Sequence, residues 1–135
     1  MKRHEILKNR KKWIKFLQNP KRKKAKEYLD IGKGERCCIG HGCYVLSLKK
    51  TKNGDGWDYE GSEGQTAPEE FQYKVGLKNS VGGIVGSFIL DTYTTTLTGL
   101  NDSTDTTPQE IGDYLESVIE GGYDTPFIPL TDYEE

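Results

Sequence analysis

The spacing of hydrophobic side chains near the start of the chain predicts a helix. Within residues 5–18 the large apolar side chains recur at mostly helical intervals, and they are Ile6, Leu7, Trp13, Ile14, Phe16 and Leu17. Lysines occupy the other faces, so the pattern indicates an amphipathic helix with a basic surface. Asn19 and Pro20 can cap and begin a second basic helix, because proline at the first helical position loses no hydrogen bond, and Gly32 is expected to end it.

The middle of the chain changes to small and apolar residues. Residues 36–48 form an apolar run whose periodicity fits either a buried strand or a short buried helix. The sequence Asn-Gly-Asp-Gly at residues 53–56 predicts a tight hairpin turn, since these residues tolerate positive φ. Trp57 and Tyr59 then alternate along the expected returning strand. Pro68, followed by two glutamates, predicts the start of a short helix.

The later part of the chain combines a β-type pattern with a strong helix signal. Residues 81–98 are rich in Val, Ile, Phe, Tyr and Thr, which favours β-structure, and residues 97–101 could add one helical turn. The sequence Thr-Pro-Gln-Glu at residues 107–110 is a capping box with proline at the first helical position. A helix is therefore predicted to begin there and to end at Gly121 and Gly122.

These elements predict one small α+β domain over residues 1–122, and a length of 135 residues suits a single domain. The N-terminal basic helices and the capped C-terminal helix are expected to pack on a small, mostly antiparallel sheet. Residues 123–135 contain two prolines, several apolar residues and an acidic cluster. They are predicted to form an extended acidic tail that lies on the domain or on a partner.

The distribution of charge adds a feature that the net charge of −2 conceals. Residues 1–52 contain 17 Lys and Arg against 4 Asp and Glu, whereas residues 53–135 contain 2 against 17. The two parts therefore carry charges of +13 and −15. Such asymmetry is typical of a surface that faces nucleic acid, of an electrostatic clamp between two parts of one molecule, or of homo-oligomers assembled from complementary surfaces.

The sequence also predicts a cytoplasmic protein. No stretch approaches the ~20 consecutive apolar residues that a membrane span requires, and the first residues lack the apolar segment of a secretory signal. All three cysteines lie between Cys37 and Cys43, which suits a reducing compartment better than a disulfide framework. No contact with a membrane is expected.

A cluster of soft ligands is the first candidate for chemistry. Four potential zinc ligands lie close together, and they are Cys37, Cys38, His41 and Cys43. Their spacing is poor, because closed zinc sites normally join two separated ligand pairs. We therefore expect no cofactor and favour buried cysteines that pack as small apolar side chains, with a zinc site or a reactive thiol as alternatives. His41 is expected to be an ordinary surface or loop histidine.

The basic residues form a second candidate site. Ten of them could neutralise phosphates, namely Lys8, Arg10, Lys11, Lys12, Lys15, Lys21, Arg22, Lys23, Lys24 and Lys26. Trp13 and Phe16 could stack on bases. The candidate binding residues are accordingly Trp13, Lys21, Arg22, Lys23 and Lys24. The alternative is a basic surface that is solvated or paired with the acids of the same chain.

Several short motifs resemble those of a known family. They are, in order, Lys12-Trp13 with Phe16-Leu17, Cys37-Cys38-Ile39-Gly40 with Cys43, Val75-Gly76-Leu77, residues 97–102 and residues 110–114. This order is similar to that of small uncharacterised bacteriophage proteins with a CCLGvlC-type element and a C-terminal L..LND…EIAd.IE motif. The resemblance implies a phage origin, expression in the cytoplasm of a bacterial host and an accessory role. His41 and Gly42 replace aliphatic residues of that pattern.

The function expected from these observations is recognition. The charge asymmetry suits binding, so we expect a non-enzymatic phage accessory protein that binds and modulates or inhibits a host protein, or sequesters a small host metabolite. Two alternatives remain open. One is a nucleic-acid-binding protein that uses the basic N-terminal helices, and the other is a cysteine- or zinc-dependent enzyme.

Overall fold

The computed structural model describes residues 1–26, 28–61, 66–83, 96–103 and 106–135. Within these ranges the α-helices are α1 Arg3–Gln18, α2 Cys38–Val45, α3 Glu69–Val75, α4 Leu97–Asp102 and α5 Pro108–Ser117, and a 3-10 helix covers Leu130–Asp132. The strands are β1 Asp30–Gly32, β2 Glu35–Arg36, β3 Lys50–Asn53 and β4 Gly56–Tyr59. They form two antiparallel two-stranded sheets, β1 with β2 and β3 with β4. The predicted α+β class is confirmed.

The central element of the core is α1, which packs against α2, α3, α5 and the 3-10 helix. Its buried apolar side chains are Ile6, Trp13, Ile14 and Leu17. The Trp13 ring makes edge contacts with Phe71 and Phe127, at centroid distances of 4.9 and 6.1 Å. Because burial of one large apolar side chain contributes about 1.5–3 kcal/mol, this face of α1 is a major source of stability.

The predicted second basic helix is wrong. The described residues between α1 and β1 form turns, bends and one isolated bridge instead. Distant side chains bind the carbonyl groups that such a helix would use internally: His41 binds the carbonyl of Lys23, and Asn101 binds that of Ala25. Asn19 does cap a turn, because its side-chain oxygen accepts a hydrogen bond from the backbone N–H of Lys21.

The apolar run at residues 36–48 contains a buried helix, α2, rather than a strand. Two glycines permit its close approach to neighbouring segments. A Cβ atom at Gly40 would lie 1.8 Å from the carbonyl oxygen of Leu29, and one at Gly42 would lie 2.4 Å from the Phe71 ring. The helix begins after Cys37, whose sulfur accepts a hydrogen bond from the Gly40 N–H at 3.3 Å. Close packing against distant residues therefore selects the helix, whereas the hydrophobic periodicity allowed either a helix or a strand.

The local signals of the hairpin and the last helix are confirmed. The turn at residues 53–56 joins β3 to β4 and places Lys52 opposite Trp57 and Lys50 opposite Tyr59. Both hydrogen bonds of the capping box are present, from the Glu110 N–H to Thr107 and from the Thr107 N–H to Glu110. The predicted β-structure at residues 81–98 falls mostly outside the described residues, although Gly83 and Thr96 form an antiparallel bridge.

Residues 123–135 lie against the helices, and Arg10 holds the segment before the 3-10 helix. Arg10 has no exposed surface, and its guanidinium donates to the carbonyl oxygens of Val75 at 2.6 Å, Ile119 at 2.8 Å and Ile128 at 2.7 Å. Burial lowers the pKa of Arg10 to about 10, so it remains charged at neutral pH. Phe127 is fully buried beneath this guanidinium, so the segment contributes to the core.

Candidate functional site

Two of the expected phosphate and base ligands serve the core instead. Trp13 has no exposed surface and its ring N–H donates to the Cys38 carbonyl at 2.8 Å, so it cannot stack on a base. Arg10, which was expected to reach phosphates, is buried and donates to four backbone carbonyls. Both corrections have the same cause. Helical periodicity places both residues on the face of α1 that the other helices cover.

The expected cluster of Lys21, Arg22, Lys23 and Lys24 has divided roles. Lys21 and Lys23 are exposed, whereas the Lys24 ammonium donates to the carbonyls of Ser103 and Thr106. The guanidinium of Arg22 lies 3.6 Å from the centroid of the Phe16 ring, and its Nε donates to the Phe16 carbonyl. Arg22 is therefore the member of this cluster that is held in place at the surface.

Arg22 belongs to a continuous surface row in which cations lie over aromatic rings. We call this the cation–aromatic row, and it consists of Phe16, Arg22, Arg36, Tyr44, Lys50, Lys52 and Trp57. The Phe16 and Tyr44 rings are 5.8 Å apart. Lys50 lies 4.9 Å from the Tyr44 centroid and 4.5 Å from that of Trp57. The row thus runs from the end of α1, across the end of α2, to the β3–β4 hairpin.

The rings of this row hold the cations in position. Arg36 lies 3.7 Å from the Tyr44 centroid and also pairs with Asp30 at 3.1 Å, and Lys52 lies 4.7 Å from the Trp57 centroid. Contacts of this kind contribute about 0.5–1 kcal/mol at exposed sites. Burial, followed by the charge of Arg36, lowers the pKa of Arg22. An anion placed beside the row would relieve the repulsion between these two cations.

Two adjoining hollows follow the row. One has a volume of about 270 Å³ and is lined by Lys12, Lys15, Phe16, Asn19, Arg22 and Val45. The other has a volume of about 480 Å³ and is lined by Tyr44, Val45, Ser47, Leu48 and Lys50. They share Val45, and we refer to the two together as the basic groove. None of these lining residues is acidic.

The exposed lysines of α1 extend this positive surface. They recur at helical spacing and form what we call the lysine face: Lys8, Lys11, Lys12 and Lys15. The ion pairs within the described residues are Arg3–Glu135, Arg36–Asp30, Lys49–Glu60 and Lys74–Glu70. Across the described ranges, the acids of residues 53–135 therefore do not neutralise the lysine face by direct pairing.

A further cavity has the opposite electrostatic character. Its volume is about 370 Å³, and it lies between residues 28–31 and residues 53–59. Three carboxylates line it, from Asp30, Asp55 and Asp58, and no lysine or arginine does. Trp57 of the row also lines this cleft, so the negative cleft adjoins the row, and an anionic ligand is favoured at the groove, whose lining holds no acid.

The cysteines of the candidate metal cluster are buried and point to different partners. Cys37 accepts from Gly40, while Cys38 Sγ donates to the Leu97 carbonyl at 3.7 Å. Burial raises the pKa of Cys37 to about 12 and raises those of Cys38 and Cys43 well above the usual value. In the described part of the chain, no group of three or more His, Cys, Asp or Glu residues is placed to hold a metal ion.

The expectation that His41 is a surface or loop histidine is wrong. It lies in α2 without exposed surface, and its ring is 5.6 Å from that of Phe16. Its Nε2 donates to the Lys23 carbonyl at 2.6 Å, whereas its Nδ1 is buried with no hydrogen-bond partner in the structure. Burial, together with the charges of Arg36 and Arg22, lowers the pKa of His41 to about 4. His41 is therefore neutral near pH 7.

Sequence reasoning missed the parts of the row that lie outside the N-terminal segment, namely Arg36, Tyr44, Lys50, Lys52 and Trp57. One signal was present for the hairpin. The turn at residues 53–56 sets Lys52 opposite Trp57, and this pairing can be derived from the turn length. The contact of Arg36 with Tyr44 had no such local signal, because it depends on how β2 meets α2.

Comparisons with family models, curated proteins and solved structures return no match for this chain. Of the helices in the described ranges, none combines the length and the apolar character needed to cross a membrane.

Proposed function

We propose that this protein is a non-enzymatic nucleic-acid-binding protein that holds a phosphate backbone in the basic groove. One observation carries the proposal: the groove is lined by cations and aromatic rings without an acid, and in the described structure no direct ion pair neutralises the lysine face. Of the functions considered from the sequence, nucleic-acid binding makes the best use of this surface.

The chemistry of the row suits phosphate. Arginine presents a planar fork of donors that matches phosphate oxygens, and lysine adds compact positive charge. Because Arg22, which lines the groove, is already held over the Phe16 ring, its ordering costs less entropy when a ligand binds. Cations that replace the counterions of a nucleic acid also gain from counterion release, which makes the affinity strongly dependent on salt.

The cysteines support a role without covalent catalysis. The thiolate is the nucleophilic form, and burial keeps the three thiols protonated near neutral pH. His41, which could have acted as a base for a cysteine, uses its Nε2 to bind the Lys23 carbonyl. The polar groups of α2 thus serve packing and capping.

We retain from the family resemblance the proposal of an accessory role in the cytoplasm of a bacterial host. An acidic host protein could also use a row of cations. Nucleic acid is favoured because the row interleaves its cations with aromatic rings, a combination that protein channels for nucleic-acid strands use.

The test is fluorescence anisotropy with a labelled oligonucleotide, titrated at salt concentrations from about 50 to 300 mM. The groove variant carries Lys12→Gln, Lys15→Gln and Lys50→Gln. The matched control carries Lys2→Gln, Lys26→Gln and Lys33→Gln, which removes the same charge at exposed lysines that do not line the groove. We expect the groove variant to lose at least about ten-fold in affinity and about 2 units of the log–log salt slope.

The control should stay within about three-fold of the parent protein. Equal losses in both variants would show that only net charge matters, and the groove would then be the wrong site. Absence of salt-dependent binding to any nucleic acid, combined with binding to polyglutamate or to one acidic host protein, would overturn the proposal in favour of protein recognition.

A further inference from the structure

Tyr44 is an exposed aromatic side chain that lines the basic groove. It lies near the end of α2 and is 43 % exposed. The Phe16 ring and the Lys50 ammonium both lie near it, at 5.8 and 4.9 Å. An exposed ring in this position is available to a flat ligand group that enters the groove.

The Tyr44 ring is supported from within the protein. The Arg36 guanidinium lies 3.7 Å from its centroid and is fixed by its pair with Asp30, in which the side chains are 11 % and 1 % exposed. Because Arg36 is anchored in this way, it supports the ring, while Tyr44 as a whole stays 43 % exposed. A ring held in one orientation can stack on a ligand at little additional entropic cost.

Cations flank this ring along the groove. Lys12, Lys15 and Arg22 line the adjoining hollow, and Lys50 lies between Tyr44 and Trp57. The contact of a surface lysine with a ring is weak, and the long lysine side chain can turn its ammonium toward a phosphate. The groove therefore combines several possible phosphate partners with one partly exposed aromatic ring.

We propose that the ligand of the groove is a single-stranded nucleic acid, with an unpaired base stacked on Tyr44 and the neighbouring phosphates bound by the flanking cations. This inference rests on the proposed nucleic-acid-binding function. The physical reason is that the bases of a duplex are stacked on one another, so that only an unpaired strand presents base faces to an aromatic side chain. A surface that bound duplex through phosphates alone would make no use of the ring.

The experiment compares a labelled oligothymidine of about 12 nucleotides with the duplex that it forms with oligoadenosine, and with inorganic polyphosphate as a competitor that lacks bases. The variant is Tyr44→Leu, which keeps an apolar side chain but removes the ring. Tyr44→Phe keeps the ring. Tyr123→Leu is the matched control, because Tyr123 is 73 % exposed and does not line the groove. Thermal unfolding establishes that all variants are folded.

We expect the parent protein to bind the single strand at least about ten-fold more tightly than the duplex. Tyr44→Leu should weaken single-strand binding by about ten-fold and leave polyphosphate binding within about two-fold, whereas Tyr44→Phe and Tyr123→Leu should remain close to the parent. Equal affinity for single strand and duplex, or equal effects of Tyr44→Leu and Tyr123→Leu, would overturn this inference and leave the proposed function intact. Failure of every nucleic acid to bind would overturn both.

Discussion

Acid should destabilise this protein through His41. The Nε2 atom must carry the ring proton at neutral pH, because its partner, the Lys23 carbonyl, can only accept. A second proton would go to Nδ1, which is buried without a hydrogen-bond partner in the structure. Protonation would therefore bury an unsatisfied donor and add a positive charge close to Arg22 and Arg36.

The magnitude follows from the pKa of His41, which is lowered from 6.5 to about 4 in the folded protein. Between these values the unfolded chain takes up the proton and the folded protein does not. The His41 contribution to the free energy of unfolding is thus fully present above about pH 6.5 and decreases as the pH falls toward 4. At about 1.4 kcal/mol per pH unit, the loss reaches about 2 kcal/mol at pH 5 and about 3 kcal/mol at pH 4.

The assay is urea unfolding at pH 7 and pH 5, followed by fluorescence of the buried Trp13. In His41→Leu the hydrogen bond to Lys23 is lost, which costs about 1 kcal/mol at pH 7. The same variant should lose about 2 kcal/mol less than the parent protein when the pH is lowered to 5. The matched control is His4→Leu, which replaces the other histidine of the chain at an exposed position.

An equal loss of stability in the parent protein and in His41→Leu between pH 7 and pH 5 would refute this reasoning. It would mean that His41 takes up its proton in the folded protein, for example through a water molecule at Nδ1, or that the α2 region opens on acidification before the rest unfolds.

Two further predictions concern the same helix. Ser47 follows α2 with φ +59°, in a turn where the Leu48 N–H binds the Cys43 carbonyl. Because glycine adopts this left-handed conformation without steric cost, Ser47→Gly should raise the free energy of unfolding by about 1 kcal/mol in urea or thermal unfolding. An unchanged or lower stability would contradict this prediction. The buried thiols should resist iodoacetamide in the folded protein at pH 8 and react rapidly in urea, as measured by mass spectrometry; fast labelling of the folded protein would instead indicate a reactive cysteine.

The sequence by itself determined the elements whose stabilising interactions lie within a few residues. The capping box at residues 107–110 and the hairpin turn at residues 53–56 are of this kind, since cap hydrogen bonds and positive φ depend on adjacent side chains. The helical period of α1 also follows from local spacing. These features were correctly predicted, and so was the α+β class.

Only the tertiary structure decided the segment between α1 and β1. Its sequence suits a helix, but His41, Asn101 and Gln109 bind its carbonyl groups from elsewhere in the chain. Such partners satisfy the backbone without helical hydrogen bonds, and a local pattern contains no information about them. The choice between strand and helix for α2 was likewise made by contacts of Gly40 and Gly42 with distant residues.

The candidate site shows the same division. The sequence identified a basic N-terminal part, and the helical period places Trp13 and Arg10 on the buried face of α1, but only the fold brings Arg22 and Phe16 beside Tyr44. The cation–aromatic row joins side chains from α1, β2, α2 and the hairpin, which meet only after the chain has folded. Local spacing determined the helices and turns, and burial of distant surfaces against one another decided which charges remain available to a ligand.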